Sequence, residues 1–178
     1  MIRPIRKGDI ARCAAWYNWY IEHTTATFEE QPLSAEAFSE RVDEVTRSYP
    51  WLILETDGAP AGYAYLDRFN PKSAYRFTAD VTVYLDPEKT GRGYGRVLLE
   101  ALEAEAHQMG LHKLISIITS DNLASRRLHE ALGYRLAAEI SHAGYKHKQW
   151  LSVCWYEKNL RTAEGTPKEP DLSCREVS

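Results

Sequence analysis

Apolar side chains recur at helical spacing from Asp9 to Glu22, where Ile10, Cys13, Ala14, Tyr17 and Ile21 share one face and Trp16, Trp19 and Tyr20 widen it. Asp9 stands where that helix needs an N-cap. Ahead of it, the weak alternation from Met1 to Arg6 predicts a short edge strand. The stretch from His23 to Pro32 has no period and many hydroxyls, which predicts a loop. Ser34 then opens a second amphipathic helix to about Ser48, with Phe38, Val42 and Val45 on one side, and Tyr49-Pro50 stops it. Strands follow over Trp51 to Glu55, Ala61 to Phe69 and Tyr75 to Leu85, the first two joined at the hairpin signal Asp57-Gly58 and the last two by a turn from Asn70 to Ser73.

Beyond a glycine-rich stretch, Tyr94, Leu98, Ala101, Leu102 and Met109 form the stripe of a helix that ends at Gly110. Lys113 to Thr119 is short, apolar and β-branched, as for a strand buried on both faces. Ser120-Asp121-Asn122 starts a helix with Ala124, Leu128 and Leu132 aligned, closed by Gly133. Tyr134 to Ser141 and Gln149 to Glu157 predict two last strands around a connection from His142 to Lys148. From Arg161 the chain is polar, with Pro167 and Pro170, and predicts a disordered tail. The order β-α-α-β-β-β-α-β-α-β-β is that of an α/β protein with a mixed sheet in one domain, residues 1–160, followed by the tail 161–178. The strand before the glycine stretch and the strand from Lys113 to Thr119 make a β-α-β unit and should run parallel.

Composition narrows the classes. The 178 residues are 44% hydrophobic and 26% charged, with a net charge of −3, so nothing favours general attraction to nucleic acid or membrane. Cys13, Cys154 and Cys174 are odd in number and far apart, so neither a disulfide framework nor a metal site is encoded. No signal core or membrane-length apolar run is present, and a cytoplasmic protein is expected.

The candidate chemistry begins at Val81 to Leu99. A strand is broken by Asp86-Pro87, and Gly91, Gly93 and Gly95 then lead into a helix. Such a loop lets several backbone N–H groups converge at a helix N-terminus, where Arg92 and Arg96 add charge, which is how a phosphate or pyrophosphate is held. A P-loop is excluded because Arg96-Val97 stands where Lys-Ser/Thr is needed, and a Rossmann loop because its third glycine position is Arg96. An ordinary glycine-rich connection is the alternative.

The window Thr90-Gly91-Arg92-Gly93-Tyr94-Gly95 resembles the Q/R-x-x-G-x-G/A loop of the GCN5-related N-acetyltransferases (GNAT), with Thr90 where that family has Gln or Arg. A later stretch, Asn122 to Tyr134, is similar to the family's N-x-x-[AS]-x-x-[LF]-[YH]-E-x-x-G-[FY]. Thr24 to Glu29, Ala79 to Tyr84, His129 to Tyr134 and Gly144-Tyr145-Lys146-His147 with Trp150 look like the phosphinothricin and methionine sulfoximine acetyltransferases, a likeness covering about residues 1–160. It implies the GNAT fold, acetyl-CoA as co-substrate without a metal, and transfer of acetyl to the α-amine of a small amino-acid-like acceptor by direct attack through a tetrahedral intermediate. It also implies resistance to an antibiotic or herbicide and a homodimer. Acetyl-CoA would contact Val83, Tyr84, Leu85, Thr90, Gly91, Arg92, Gly93, Tyr94, Gly95, Arg96, Asn122 and Ser125. Read without the family, Asn122 is a helix cap and Ser125 a polar surface position.

An ammonium must lose a proton before it attacks a thioester. Asp80 is the one acidic residue between Tyr75 and Leu85; the family has Glu there, so a bridging water is expected. His147 matches an active-site histidine of the family, and His129 stands where many relatives use Tyr to protonate the thiolate; each has a plain alternative, exposure for His147 and packing for His129. Backbone N–H groups of Val83 to Leu85 could polarise the thioester carbonyl. Arg76, four residues before Asp80 on the expected strand, could take the acceptor's carboxylate. Thr82 and Tyr84 share that face, and Phe28 could cover the site. Two other functions stay open: a protein N-terminal acetyltransferase and a catalytically silent acyl-CoA-binding module.

Overall fold

The computed structural model describes residues 1–173. The elements are β1 (Ile2–Pro4), α1 (Ile10–His23), α2 (Ala35–Thr46), β2 (Trp51–Thr56), β3 (Ala59–Arg68), β4 (Thr78–Leu85), α3 (Tyr94–Gln108), β5 (Lys113–Thr119), α4 (Leu123–Ala131), β6 (Arg135–Lys146) and β7 (Gln149–Asn159). The strands form one seven-stranded sheet in the order β1-β2-β3-β4-β5-β7-β6. The β4–β5 pair is parallel and its register is short: Thr78, Ala79 and Asp80 face Lys113, Leu114 and Ile115. No helix among the described residues is long and apolar enough to cross a membrane.

Alternation along the strands sorts side chains onto two faces. Trp51, Tyr63, Tyr65 and Tyr84 stack with one another and with Tyr17 of α1 and Phe38 of α2, which cover that face of β2 to β4. On the other face α3 buries Leu98, Leu99, Leu102 and Ala106. Below α4, Arg126 and Glu130 hold the Tyr156 hydroxyl at 3.1 and 2.6 Å.

Several local expectations shift for physical reasons. Asp9 donates no cap to α1; its carboxylate instead pairs with the buried Arg3 guanidinium at 2.7 and 2.9 Å and accepts the Arg6 N–H. Ser34 does cap α2 through the Ala37 N–H. β4 begins at Thr78 and not Tyr75, because Ser73–Tyr75 forms a 3-10 turn. β6 continues through the expected connection to Lys146, bulging between Ile140 and Gly144, so the hairpin turn is only His147-Lys148, both at positive φ. β5 is not buried on both faces: Ile117 is 47% exposed, since β4 has left its side by then. Between Arg161 and Ser173 the chain contains no helix or strand but lies along the domain: Glu169 grips Arg76 and the Asp171 N–H reaches the Met109 carbonyl at 2.8 Å. Cys174 lies outside the described residues.

Candidate active site

Where β4 and β5 part, the sheet opens into a fork. A cavity of about 590 Å³ fills it, lined by Val81 to Leu85 on one arm, Ser116 to Ile118 on the other, and the glycine loop beyond. The parting strips β5 partners from the β4 backbone past Asp80, leaving peptide groups of Val81 to Leu85 facing the cavity. Gly91 and Gly93 hold φ of +74° and +81°, a region that side chains resist, and Gly93 is the N-cap of α3. A Cβ on Gly95 would stand 2.8 Å from Leu128 of α4, so this glycine lets two helices close over the loop. Thr90, Tyr94 and Arg96 line the cavity as well, with Arg96 also 3.2 Å from Glu100. Arg92 is exposed and outside the lining. The result is a glycine-walled cradle at a helix N-terminus, suited to a pyrophosphate.

Asp80 is the last β4 residue paired to β5 and sits at the apex of the fork, just behind the cavity lining, which begins at Val81. Its Oδ1 is buried with no protein hydrogen-bond partner among the described residues. Burial first, and the Asp67 carboxylate second, push the Asp80 carboxyl up to about 7. That is the range in which a carboxylate works as a base near neutral pH. Thr82 and Tyr84 follow on the same face and line the cavity, and Tyr84 packs edge-on to Tyr17 at 5.1 Å.

Beside Ala26, which lines the cavity, a second layer outside the lining is built from distant segments. Phe28, in the α1–α2 loop, lies flat on Gly144 of β6, where a Cβ would meet its ring at 2.4 Å. The buried Lys146 ammonium donates to the Thr27 carbonyl at 2.8 Å, and Thr27 Oγ1 is 3.0 Å from the Tyr17 hydroxyl. Thr25 donates to Asp121, just ahead of α4, at 2.8 Å.

The family model for the GNAT acetyltransferases matches residues 13–134. The chain belongs to this family. A phosphinothricin N-acetyltransferase from Streptomyces viridochromogenes is 32% identical over 159 residues, 89% of this chain and 87% of that protein. An L-methionine sulfoximine/L-methionine sulfone acetyltransferase from Salmonella typhimurium is 33% identical over 162 residues, 88% of this chain and 94% of the other. Among solved structures, a phosphinothricin acetyltransferase from Sinorhizobium meliloti in complex with acetyl-CoA superposes with a TM-score of 0.91 at 31% identity, covering 95% of this chain and 93% of that one. The protein is thus an acetyl-CoA-dependent acetyltransferase with the GNAT fold.

In this GNAT chain the cradle residues come together with Asn122 and Ser125, which line the cavity at the start of α4. Asn122 Oδ1 accepts the Ser125 N–H at 3.2 Å, so its carbonyl caps the helix while its amide group remains to meet a ligand. His129 also lines the cavity, but Nδ1 lies 2.8 Å from the Ser125 carbonyl and must carry the proton, leaving a bare, buried Nε2. Burial lowers its pKa further, so at neutral pH Nε2 has no proton to give a departing thiolate. His147 sits exposed at the hairpin tip, its Nε2 3.2 Å from the Thr24 carbonyl, outside the cavity lining. Arg76 is off the strand, so spacing along β4 no longer aims it at the Asp80 face. Its guanidinium makes two 2.6 Å bonds to Glu169 and lies over the Phe77 ring. Tyr20, Ala26, Ser116, Ile117, Ile118, Ala124 and Leu128 line the cavity too. Nothing in their local pattern marks them, because the divergence of two strands puts them there.

Proposed function

We propose that this enzyme transfers acetyl from acetyl-CoA to the α-amine of a small amino acid or analogue of the phosphinothricin or methionine sulfoximine type, by direct attack and without an acyl-enzyme. The observation that carries this reading is the placement of a buried, raised-pKa carboxylate at the apex of the fork whose open end holds the pyrophosphate cradle. The names of the relatives supply the acceptor class. Bound acetyl-CoA supplies an activated thioester: the acceptor nitrogen adds to its carbonyl carbon, and collapse of the tetrahedral intermediate breaks the C–S bond, sulfur leaving with the electron pair and taking up the second proton that nitrogen loses. Asp80 removes the ammonium proton, directly or through water, and frees the nitrogen lone pair. Unpaired backbone groups of the β4 arm orient the acetyl carbonyl. Phe28, Tyr84 and Thr82 enclose the acceptor. A thiol-release assay with acetyl-CoA, glutamate analogues and N-terminal peptides tests the reading: turnover restricted to peptides would assign a protein N-terminal acetyltransferase, and no turnover a silent acyl-CoA-binding module.

The same reading includes resistance to such analogues, a cytoplasmic location and a homodimer. Support for the dimer comes from β6, an outer strand that leaves Leu136, Ile140 and Tyr145 exposed beside Trp150 of β7. Sedimentation velocity showing only monomer at micromolar concentration would remove that part.

A further inference from the structure

Beside the apex of the fork, on β3 and outside the cavity lining, stands a second carboxylate that the reaction above leaves idle. Asp67 of β3 stands directly opposite Asp80 in the antiparallel β3–β4 ladder. Opposed residues of such a ladder point to one face with Cβ atoms about 4.5–5.5 Å apart, and like charges there are unfavourable. Neither carboxylate forms an ion pair among the described residues. Asp67 Oδ1 is held by the Arg68 N–H at 2.7 Å, which fixes its orientation, and Asp80 Oδ1 has no protein partner.

The surroundings do not cancel the repulsion. Burial first raises the Asp67 carboxyl itself; Glu44 of α2 adds to that rise, while Arg68 of its own strand and Arg41 of α2 oppose it. Arg41 is already committed to Glu29 at 2.5 Å. Tyr49, ahead of β2, faces both carboxylates and is neutral, its pKa raised chiefly by burial. Tyr65 of β3 is neutral, burial holding its hydroxyl well above the usual tyrosine range, and β5 presents Ile115. Two carboxylates opposed in a sheet, neither in an ion pair among the described residues, call for a use.

We propose that Asp67 is a positioning residue for the deprotonation step, its fixed charge across the ladder strengthening Asp80 as a base for the acceptor's ammonium. The inference rests on the reading of Asp80 as that base. An ordinary aspartate is about six pK units less basic than an alkylamine, so a base that must take this proton gains from every increment. Burial provides the larger part and Asp67 the smaller. The proton leaves the acceptor nitrogen for an Asp80 oxygen, and Asp67 stays ionised throughout.

The test combines rate and titration on the full chain. With acetyl-CoA and the best acceptor of the panel, kcat/KM of the wild type should rise with pH through about 7. Asp67→Asn should bring that rise down by about half to one unit, well short of the ordinary carboxylate range, with the high-pH kcat within about twofold of wild type. Asp67→Glu should restore it. A rise that does not move, or a higher acceptor KM with the rise unmoved, overturns the proposal, the second outcome making Asp67 a substrate contact. Carbon-13 NMR of the aspartate carboxyl carbons reads the coupling without catalysis: each of the two should register the other's titration step in the wild type, and independent single-step curves overturn the proposal even if Asp67→Asn fails to fold. Full activity with an unchanged pH profile in Asp80→Asn sinks the base reading instead, whatever the NMR shows of the pair.

Discussion

The two walls of the fork follow opposite rules. The wall proposed for acetyl-CoA is made of backbone: β4 peptide groups freed from pairing, glycines at positive φ and the N-terminus of α3, within residues 81 to 96. The wall proposed for the acceptor is made of side chains from the α1–α2 loop, β3, β4 and the β6–β7 hairpin, more than a hundred residues apart at the Lys146–Thr27 contact. A backbone cradle recognises any ligand bearing the same pyrophosphate, so it suits the shared co-substrate. A side-chain wall changes shape and charge with single substitutions, so it suits the variable acceptor. Substitutions on the two walls should therefore separate cleanly in their kinetics.

The largest effect is expected at Asp80. Asp80→Asn should lower kcat by about 10² to 10⁴ with acetyl-CoA affinity unchanged. Because folding raises this carboxyl to about 7, its ionisation weighs against the fold as pH rises through that value, and its favourable share is complete only below the ordinary aspartate range. Asp80→Asn should accordingly raise the melting temperature near about pH 8, the gain fading toward about pH 4. A purely structural Asp80 predicts the reverse, stability lost and rate kept. Asp80→Glu, which restores the reach of the family residue, should keep at least wild-type order of activity.

On the other wall, Gly93→Val should weaken acetyl-CoA by roughly ten- to a hundredfold, combining a strained φ of +81° with a side chain where the pyrophosphate must approach the amides. Titration calorimetry with unchanged affinity would break the backbone account of this wall. A smaller effect is expected from Gly144→Ala, whose Cβ must displace the Phe28 ring: acceptor KM should rise several-fold and acetyl-CoA KM stay put. Equal changes in both would mean that the walls are not independent.

The smallest effect is expected at Arg76. Its exposed pair with Glu169 belongs to neither wall, so Arg76→Ala and Glu169→Ala should behave alike and leave acceptor KM nearly unchanged. A selective, tenfold or larger rise in KM for carboxylated acceptors in Arg76→Ala alone would restore Arg76 as the carboxylate anchor.

These contrasts follow what was legible along the chain. The helices, the hairpin at Asp57-Gly58, the cradle glycines and the Asn122 cap are local, because periodicity, turn chemistry and glycine placement act over a few residues. Arg76 shows the limit: residues placed four apart share a face only if the strand extends over both, and the turn at Ser73–Tyr75 ended it first. His129 was findable by its motif, whereas its protonation was not, since a hydrogen bond to Ser125 and burial decide the tautomer.

By itself, then, the sequence determined the element order, the glycine loop at the start of α3 and the one carboxylate on the strand before it. Tertiary structure alone decided that β4 and β5 part after Asp80, that Phe28 rests on Gly144, and that Asp67 stands across the ladder from Asp80. The reason is that register, strand divergence and desolvation arise from contacts between segments far apart in the chain. A residue's basicity belongs to that assembled surrounding, and no spacing along the sequence records it.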